Sequence, residues 1–347
     1  MEAGWIRDVV AFAVSLVCVL ALVPLIRRLC VRWRIFDQPG VLKIHREPIP
    51  RLGGVAIAFA LAAGVVSTQH NARGSGFFFA AALVLAWLAG FVDDLRQLGP
   101  PFRLLAQIGG AMLLYAGSWR VLSSSSIAFA IVVQCLFVIL FVNAFNFLDG
   151  ADGLAAGITA AIALGYAAMP GVGLSAFGYA VAWSLLGACV GFLIFNFPPA
   201  KIFMGDSGST VLGFSVAFMG LDFIGARGPG GAASSWLFPF LLAALPLLDA
   251  LVVVTRRVMK RRSPFQGDRG HFYDYFLAAG WPARRLAICC YFLTGFLGLL
   301  GWFAVQRGIK RSLILGVGIF GALVVTALYS GARRQGAMRH SRYRAQL

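Results

Sequence analysis

The sequence predicts an all-α polytopic integral membrane protein with about eleven transmembrane helices, the N-terminus outside and the C-terminus cytoplasmic. Three observations lead there. The 347 residues are 60% hydrophobic and only 12% charged, whereas a soluble domain carries roughly 25% charged residues. The apolar residues fall in blocks that approach the ~20 residues a helix needs to cross the hydrocarbon core, and the strand-like alternation of an outer-membrane barrel is absent. The basic residues are also unequally shared. With eleven spans, one set of connecting segments holds 23 of the 30 Lys and Arg, and the other holds Arg7, Arg73, Arg120, Arg227, Arg307, Lys310 and Arg311. By the positive-inside rule the richer side is cytoplasmic. The net charge of +17 therefore reads as topology plus attraction to anionic headgroups, and not as a nucleic-acid surface.

The first span, about 9–26, ends at Arg27 and Arg28. The start MEAGWIRD lacks a basic n-region and no clear A-x-A site follows, so this span is expected to be a retained anchor. The loop at about 27–52 carries DQPGVLKIHREPIPRLGG, which offers Lys43, His45, Arg46 and Arg51 before Gly53 and Gly54 open the second span, 53–68. The third span, 77–92, runs into Asp93 and Asp94, and Gly99, Pro100 and Pro101 break the helix within the loop at about 93–103. Adjacent carboxylates repel unless positive charge stands beside them. A divalent cation is one solution; Arg96 and Arg103 are the other.

After the fourth and fifth spans (102–117 and 127–145) comes NAFNFLDGADGLA, with a loop at about 146–153. Asn143, Asn146, Asp149 and Asp152 recur every three residues, so neighbours touch on a helix. Over nine residues the ladder drifts halfway round, and Gly150 and Gly153 predict a break there. The four groups could then line one pocket at the helix end. A plain polar turn accounts for the aspartates but not for the asparagines.

The sixth and seventh spans (154–169 and 174–195) lead to NFPPAKIFMGDSGSTVLG, around the loop at about 196–207. Pro198 and Pro199 stop one helix, and Asp206, Ser207 or Ser209 can cap the next. A fresh helix N-terminus attracts phosphate. Asp206 beside it makes more sense if it holds a metal ion that phosphate also binds; simple capping is the rival reading. The eighth span is 208–224. The ninth, 236–254, contains Asp249, three residues after Pro246 and roughly 10 Å from Arg256 at the helix end. An ionisable group inside a span is a functional hypothesis by default, with a structural partnership to a basic side chain as the alternative. In the loop at about 255–285, R-R-V-M-K-R-R reads as positive-inside character, whereas D-R-G-H-F-Y-D (268–274) mixes charges with aromatics. Spans ten and eleven, 286–304 and 312–330, and a basic cytoplasmic tail, 331–347, complete a single transmembrane domain.

The six cysteines form no C-x-x-C pair and read as small packing residues. The four histidines lack metal-binding spacing, so zinc is not indicated. Of the 13 acidic residues, only Glu2, Asp8 and Asp222 fall on the outer side. The other ten gather on one face with asparagines and cations. Carboxylates bind Mg²⁺, cations and helix N-termini bind phosphates, and phosphoryl transfer needs both.

In order and spacing, P-R-L-G-G (50–54), the D-D pair (93–94), N-x-x-N-x-x-D-G-x-D-G-L-A (143–155), F-M-G-D-S-G-S (203–209), P-L-L-D (246–249) and S-P-F…D-R-G-H (263–271) resemble the polyprenyl-phosphate N-acetylhexosamine-1-phosphate transferases. The likeness runs from about residue 37 to 282. It implies transfer of an N-acetylhexosamine-1-phosphate from a UDP-sugar to undecaprenyl phosphate, with release of UMP, at the cytoplasmic face of a bacterial inner membrane. Such a step initiates a cell-surface polysaccharide. The resemblance implies Mg²⁺, with Mn²⁺ as a substitute, held by Asp206 and supported by Asp94 and Asp152. Asp93 would deprotonate or position the lipid phosphate, so Asp93, Asp94 and Asp206 form the expected catalytic set. Asn143, Asn146 and Asp149 would contact nucleotide or order the metal shell, and Lys43, His45, Arg269 and His271 would bind the diphosphate sugar. Loop 263–274 would select the sugar, and a lipid-facing groove is expected where Pro239, Pro246 and Asp249 disturb span nine. A homodimer is a family-level expectation.

One departure stands out. Many members end the last loop with H-x-H-H, but here the segment is His271-Phe-Tyr-Asp. This weakens any multi-histidine role and the choice of GlcNAc as the sugar, and it argues against a peptidoglycan pentapeptide substrate. The rival class is an ion-coupled secondary transporter. Transporters place their sites near the midplane, often between internal repeats; here the acids gather at one face and no clear repeat is found.

Overall fold

A computed structural model of the chain describes residues 2–40, 43–45, 47–69, 74–96, 98–120, 126–169, 172–227, 234–265 and 267–307. The eleventh expected span and the basic tail lie outside these residues. Each of the other ten apolar segments is helical: α1 Glu2–Arg32, α2 Gly53–Thr68, α3 Ser75–Arg96, α4 Pro100–Ala116, α5 Ile127–Leu148, α6 Leu154–Ala168, α7 Ala176–Asn196, α8 Gly205–Gly225, the pair α9 Ser234–Leu242 and α10 Ala244–Met259, and, after the short α11 Phe272–Ala278, α12 Ala283–Arg307. Six of these helices are long and apolar enough to cross a membrane, or seven if the bent pair is one span. The protein is thus an all-α polytopic membrane protein. Large apolar side chains face outward, among them Val17, Phe59, Phe77, Leu105, Leu136 and Phe292. Such a surface suits lipid and would be an aggregation liability in water.

The bundle has two ends, tied by different contacts. At one end Arg284 of α12 donates to the Pro198 carbonyl after α7, and Arg51 before α2 meets Asp94 of α3. At the other, the Trp119 indole and the Ser175 amide and hydroxyl donate to the buried Asp222 near the end of α8. Asp222 therefore lies at the opposite end from the main acid cluster, the relation expected of its place on the outer side. Helix α8 is the hub, almost wholly buried and in contact with α2, α3, α5, α6, α7 and α9.

Three features go beyond the sequence reading, which expected only a disturbance of span nine around Pro239, Pro246 and Asp249. Span nine is broken: α9 and α10 meet at 75°. Pro246 supplies the reason, because it has no N–H for the Leu242 carbonyl and its ring crowds that carbonyl. A two-residue antiparallel pairing, β1 Phe36–Asp37 with β2 Ile49–Pro50, matches Phe36 to Pro50 and Asp37 to Ile49 inside the expected plain loop. The third is α11, whose Asp274 side chain accepts from the His271 amide and so secures the helix start.

Candidate active site

The site grows from the start of α8. Gly205 sits at φ +71°, where a side chain would be strained and would run into the Asp94 carboxylate. This turn aims the first amides of α8 at Asp94. The Asp206 amide donates to Asp94 Oδ1 at 2.8 Å; the Ser207 amide and hydroxyl donate to Oδ2 at 3.0 and 2.7 Å. Arg51 adds Nη2 at 2.5 Å and Nε at 3.2 Å to Oδ1. The Asp94 side chain is 0% exposed, and these five donors take both its oxygens. In this arrangement Asp94 anchors the helix that carries Asp206.

The P-R-L-G-G segment docks against the same turn. Arg51 bridges Phe203, the Phe203 amide donates to the Pro50 carbonyl, and the Gly53 and Gly54 amides donate to the carbonyls of Phe203 and Met204. A Cβ on Gly54 would meet the Gly208 backbone, so only glycine lets α2 approach α8 this closely.

Asp206 emerges from this cradle 25% exposed. Its Oδ1 accepts from Asn146 Nδ2 at 2.6 Å, and the same amide reaches Ser209 Oγ at 3.1 Å. Arg103 Nη1 lies 3.5 Å from Asp206 Oδ1 and 3.7 Å from Asp93 Oδ2, and Arg51 Nη2 lies 3.7 Å from Asp206 Oδ2. Asp93 Oδ1 is buried without a hydrogen-bond partner.

A cleft of about 280 Å³ opens here. Asn146, Asp149, Asp152 and Asp206 line one part of it, and Lys43, His45 and Arg51 another. Helix α5 continues through Asn146 to Leu148, and the break falls at residues 149–153. The Asn196 side chain holds that turn by accepting from the Gly153 amide and donating to the Ile202 carbonyl. Asp152 accepts from the Ala200 amide at 2.9 Å. Burial, reinforced by the charges of Asp206 and Asp94, pushes the Asp149 pKa well above the usual carboxylate value. Burial also raises Asp152, against the pull of its Ala200 bond. Across the cleft, Asp37 gathers the basic side chains. Lys43 Nζ lies 2.5 and 2.6 Å from its two oxygens, His45 Nε2 is 2.8 Å away and Arg51 3.7 Å. Burial works against the Asp37 carboxylate, but the Lys43 and His45 hydrogen bonds outweigh it and hold its pKa below the usual range.

Three expected substrate contacts lie outside this cleft. Asn143 donates to Gln107 of α4 and to the Ile139 carbonyl, each at 2.8 Å, because one helical turn from Asn146 it faces α4. His271 is buried against Asp249 at 2.7 Å. Arg269 donates to the Lys43 carbonyl and lines a neighbouring pocket with Ile44, Asp274 and Tyr275. Asp37, Gln107 and Asn196 belong to the site's framework without having been predicted for it, whereas Arg103 stands beside Asp93 as one of the two cations expected there. The signal for those three was thin: a lone acid in D-Q-P-G, a glutamine in an apolar span and an asparagine at a helix end.

Among the described residues no group of three or more His, Cys, Asp or Glu forms a ready-made metal cage. Mg²⁺ needs none, since it binds through one or two carboxylates plus water and phosphate. The orphaned Asp93 oxygen and the raised Asp149 mark negative charge that awaits a proton or a cation. The donor set fits.

Residues 76–224 match the model of glycosyl transferase family 4. The chain is 28% identical over 332 residues to a probable undecaprenyl-phosphate N-acetylglucosaminyl 1-phosphate transferase of Bacillus subtilis, covering 92% of this chain and 89% of that protein. It is 31% identical over 344 residues to a decaprenyl-phosphate N-acetylglucosaminephosphotransferase of Mycolicibacterium smegmatis, covering 87% and 84%. A phospho-N-acetylmuramoyl-pentapeptide-transferase of Heliobacterium modesticaldum is 28% identical over 326 residues, covering 84% and 95%.

Proposed function

Because the chain belongs to glycosyl transferase family 4, among the polyprenyl-phosphate sugar-1-phosphate transferases, and is an enzyme of that phosphotransferase class, we propose that it moves an N-acetylhexosamine-1-phosphate from a UDP-sugar to undecaprenyl phosphate. The observation that carries this reading is the single cleft in which Asp206, Asp149 and Asp152 face Lys43, His45 and Arg51. A diphosphate with a divalent counter-ion needs that pairing of acids and cations.

In this reaction a lipid phosphate oxygen attacks the β-phosphorus of the nucleotide sugar. A new P–O–P bond forms, the β-phosphorus bond to the bridging oxygen breaks, and UMP leaves with that oxygen. Mg²⁺, or Mn²⁺ in its place, held by Asp206 with Asp149 and Asp152 close by, would neutralise diphosphate charge and the charge growing on UMP. Asn146 fixes the Asp206 carboxylate, and Arg51 and Arg103 flank it. Lys43 and His45, held ready by Asp37, bind the diphosphate. Asp93 positions the lipid phosphate; with a second phosphate pKa of about 6, deprotonation asks little of it near neutral pH. Arg269 and the pocket beside it, within loop 263–274, favour a role in selecting the sugar.

The chain as a whole is read as one domain of eleven spans in a bacterial inner membrane, N-terminus outside, with the cleft at the cytoplasmic face and the 331–347 tail inside. A homodimer and the initiation of a surface polysaccharide complete the proposal. The test is transfer of label from a panel of UDP-sugars into organic-extractable lipid in washed membranes. Divalent-dependent labelling with release of UMP is expected. No transfer from any of them, together with sugar uptake by vesicles, would replace this reading with the transporter.

A further inference from the structure

Asp249 is buried in α10 and lines no part of the cleft, yet both its oxygens bind one segment. Oδ2 accepts from His271 Nδ1 at 2.7 Å and Oδ1 from the Phe272 amide at 2.9 Å. The His271 ring lies parallel to Tyr273, with centroids 5.1 Å apart and planes 5° apart. The Tyr273 hydroxyl donates to the Phe147 carbonyl at 3.2 Å and occupies the space that a Cβ on Gly150 would fill. Phe147 and Gly150 bracket Asp149, which does line the cleft. From the same helix, Arg257, two turns along α10, places its guanidinium 5.1 Å from the centre of the Phe147 ring.

We infer that Asp249 is a positioning residue for the transfer reaction: through His271 and Tyr273 it sets the turn that presents Asp149 to the cleft. The physical reason lies in the contacts themselves. A buried carboxylate holds its place only while its donors stay, and here both donors come from residues 271–272. The stacked ring pair then carries that fixed position to the end of α5. Space is the second constraint, because the glycine at 150 leaves room for the Tyr273 hydroxyl and for little else.

The activity readout rests on the proposed reaction. Asp249→Ala is expected to lower kcat about tenfold, in the range seen when partners behind a metal site are removed, with KM for lipid phosphate within about twofold of wild type. Asp249→Asn keeps the acceptor for the Phe272 amide and is expected to recover most of the loss. Tyr273→Phe removes only the Phe147 hydrogen bond and is expected to lower kcat by a smaller factor. The double variant Asp249→Ala/Tyr273→Phe is expected to lose no more than Asp249→Ala alone, since both break one chain of contacts. Losses that multiply in full would overturn the inference, as would an Asp249→Ala enzyme within about twofold of wild-type turnover. Where Asp249→Ala fails to insert, Asp249→Ser goes through the same cycle. Trypsin cleavage after Arg269 gives a readout free of the sugar question: faster cleavage in the Asp249 variant supports the inference and an unchanged rate sinks it. Wild-type protein silent with every UDP-sugar would count against the proposed reaction, and the cleavage rates would then decide this one.

Discussion

Asp94 and Asp206 meet the same helix N-terminus and serve it differently. Asp94 is enclosed by five donors, whereas Asp206 turns its carboxylate into the cleft. Replacing each by alanine should separate the two roles. Asp94→Ala leaves Arg51 and the first amides of α8 without their buried acceptor, a loss of about 3–5 kcal/mol, and should lower the melting temperature in detergent. Asp206→Ala should leave insertion and melting nearly unchanged while abolishing divalent-dependent UMP release; near-normal turnover would remove Asp206 from the metal site. Asp149 adds a pH signature. Its raised pKa means that the folded state favours the protonated form. The stability it contributes is therefore fully present below the ordinary carboxylate value and is lost as pH rises through the raised one. In cation-free protein, melting curves between acid and neutral pH should show wild type losing stability relative to Asp149→Asn. Parallel curves would mean that the carboxylate is already ionised.

At the scale of elements, close approach decides what substitution is tolerated. Gly54→Ala would drive a methyl into the Gly208 backbone, which has no side chain to swing aside. A cost of about 1–3 kcal/mol and a loss of transferase activity are expected, read by thermal denaturation and label transfer. Most elements were legible because hydropathy marks a helix wherever about twenty apolar residues run together. The breaks were harder to read. Pro246 announced a disturbance and supplies the break, but the size of the 75° bend is set by packing no local pattern encodes, since α9 packs on α12 and α10 on α5. The site was legible where residues close in sequence share a turn, as Asn146, Asp149 and Asp152 do. Asn143 belonged to the same spacing but faces Gln107, since helical drift had already carried it off the cleft side. Asp37, His271 and Arg51 find their partners across loops and between helices, and no local pattern encodes such pairings.

For the whole molecule, the two bonded ends make the orientation proposed from the basic segments testable. If the basic segments are cytoplasmic, a cysteine placed at Lys260, an exposed position at the α10 end, should resist a membrane-impermeant thiol reagent in intact cells. One at Arg120, at the end that holds Asp222, should react. The reverse pattern would invert the protein and place the cleft outside.

The bridge between Arg51 and Phe203 also bears on how the chain comes into being. It joins strands of sequence that leave the ribosome far apart in time: at roughly 5–20 residues per second, Phe203 follows Arg51 by about 8–30 s. Until then Arg51 and Asp94 can find each other, but the amides that complete their cradle do not yet exist. The first seven helices must wait in the bilayer with a half-satisfied ionic cluster at their rim. A nascent chain halted before Gly205 therefore keeps Arg51 and Asp94 without the amides that complete their cluster.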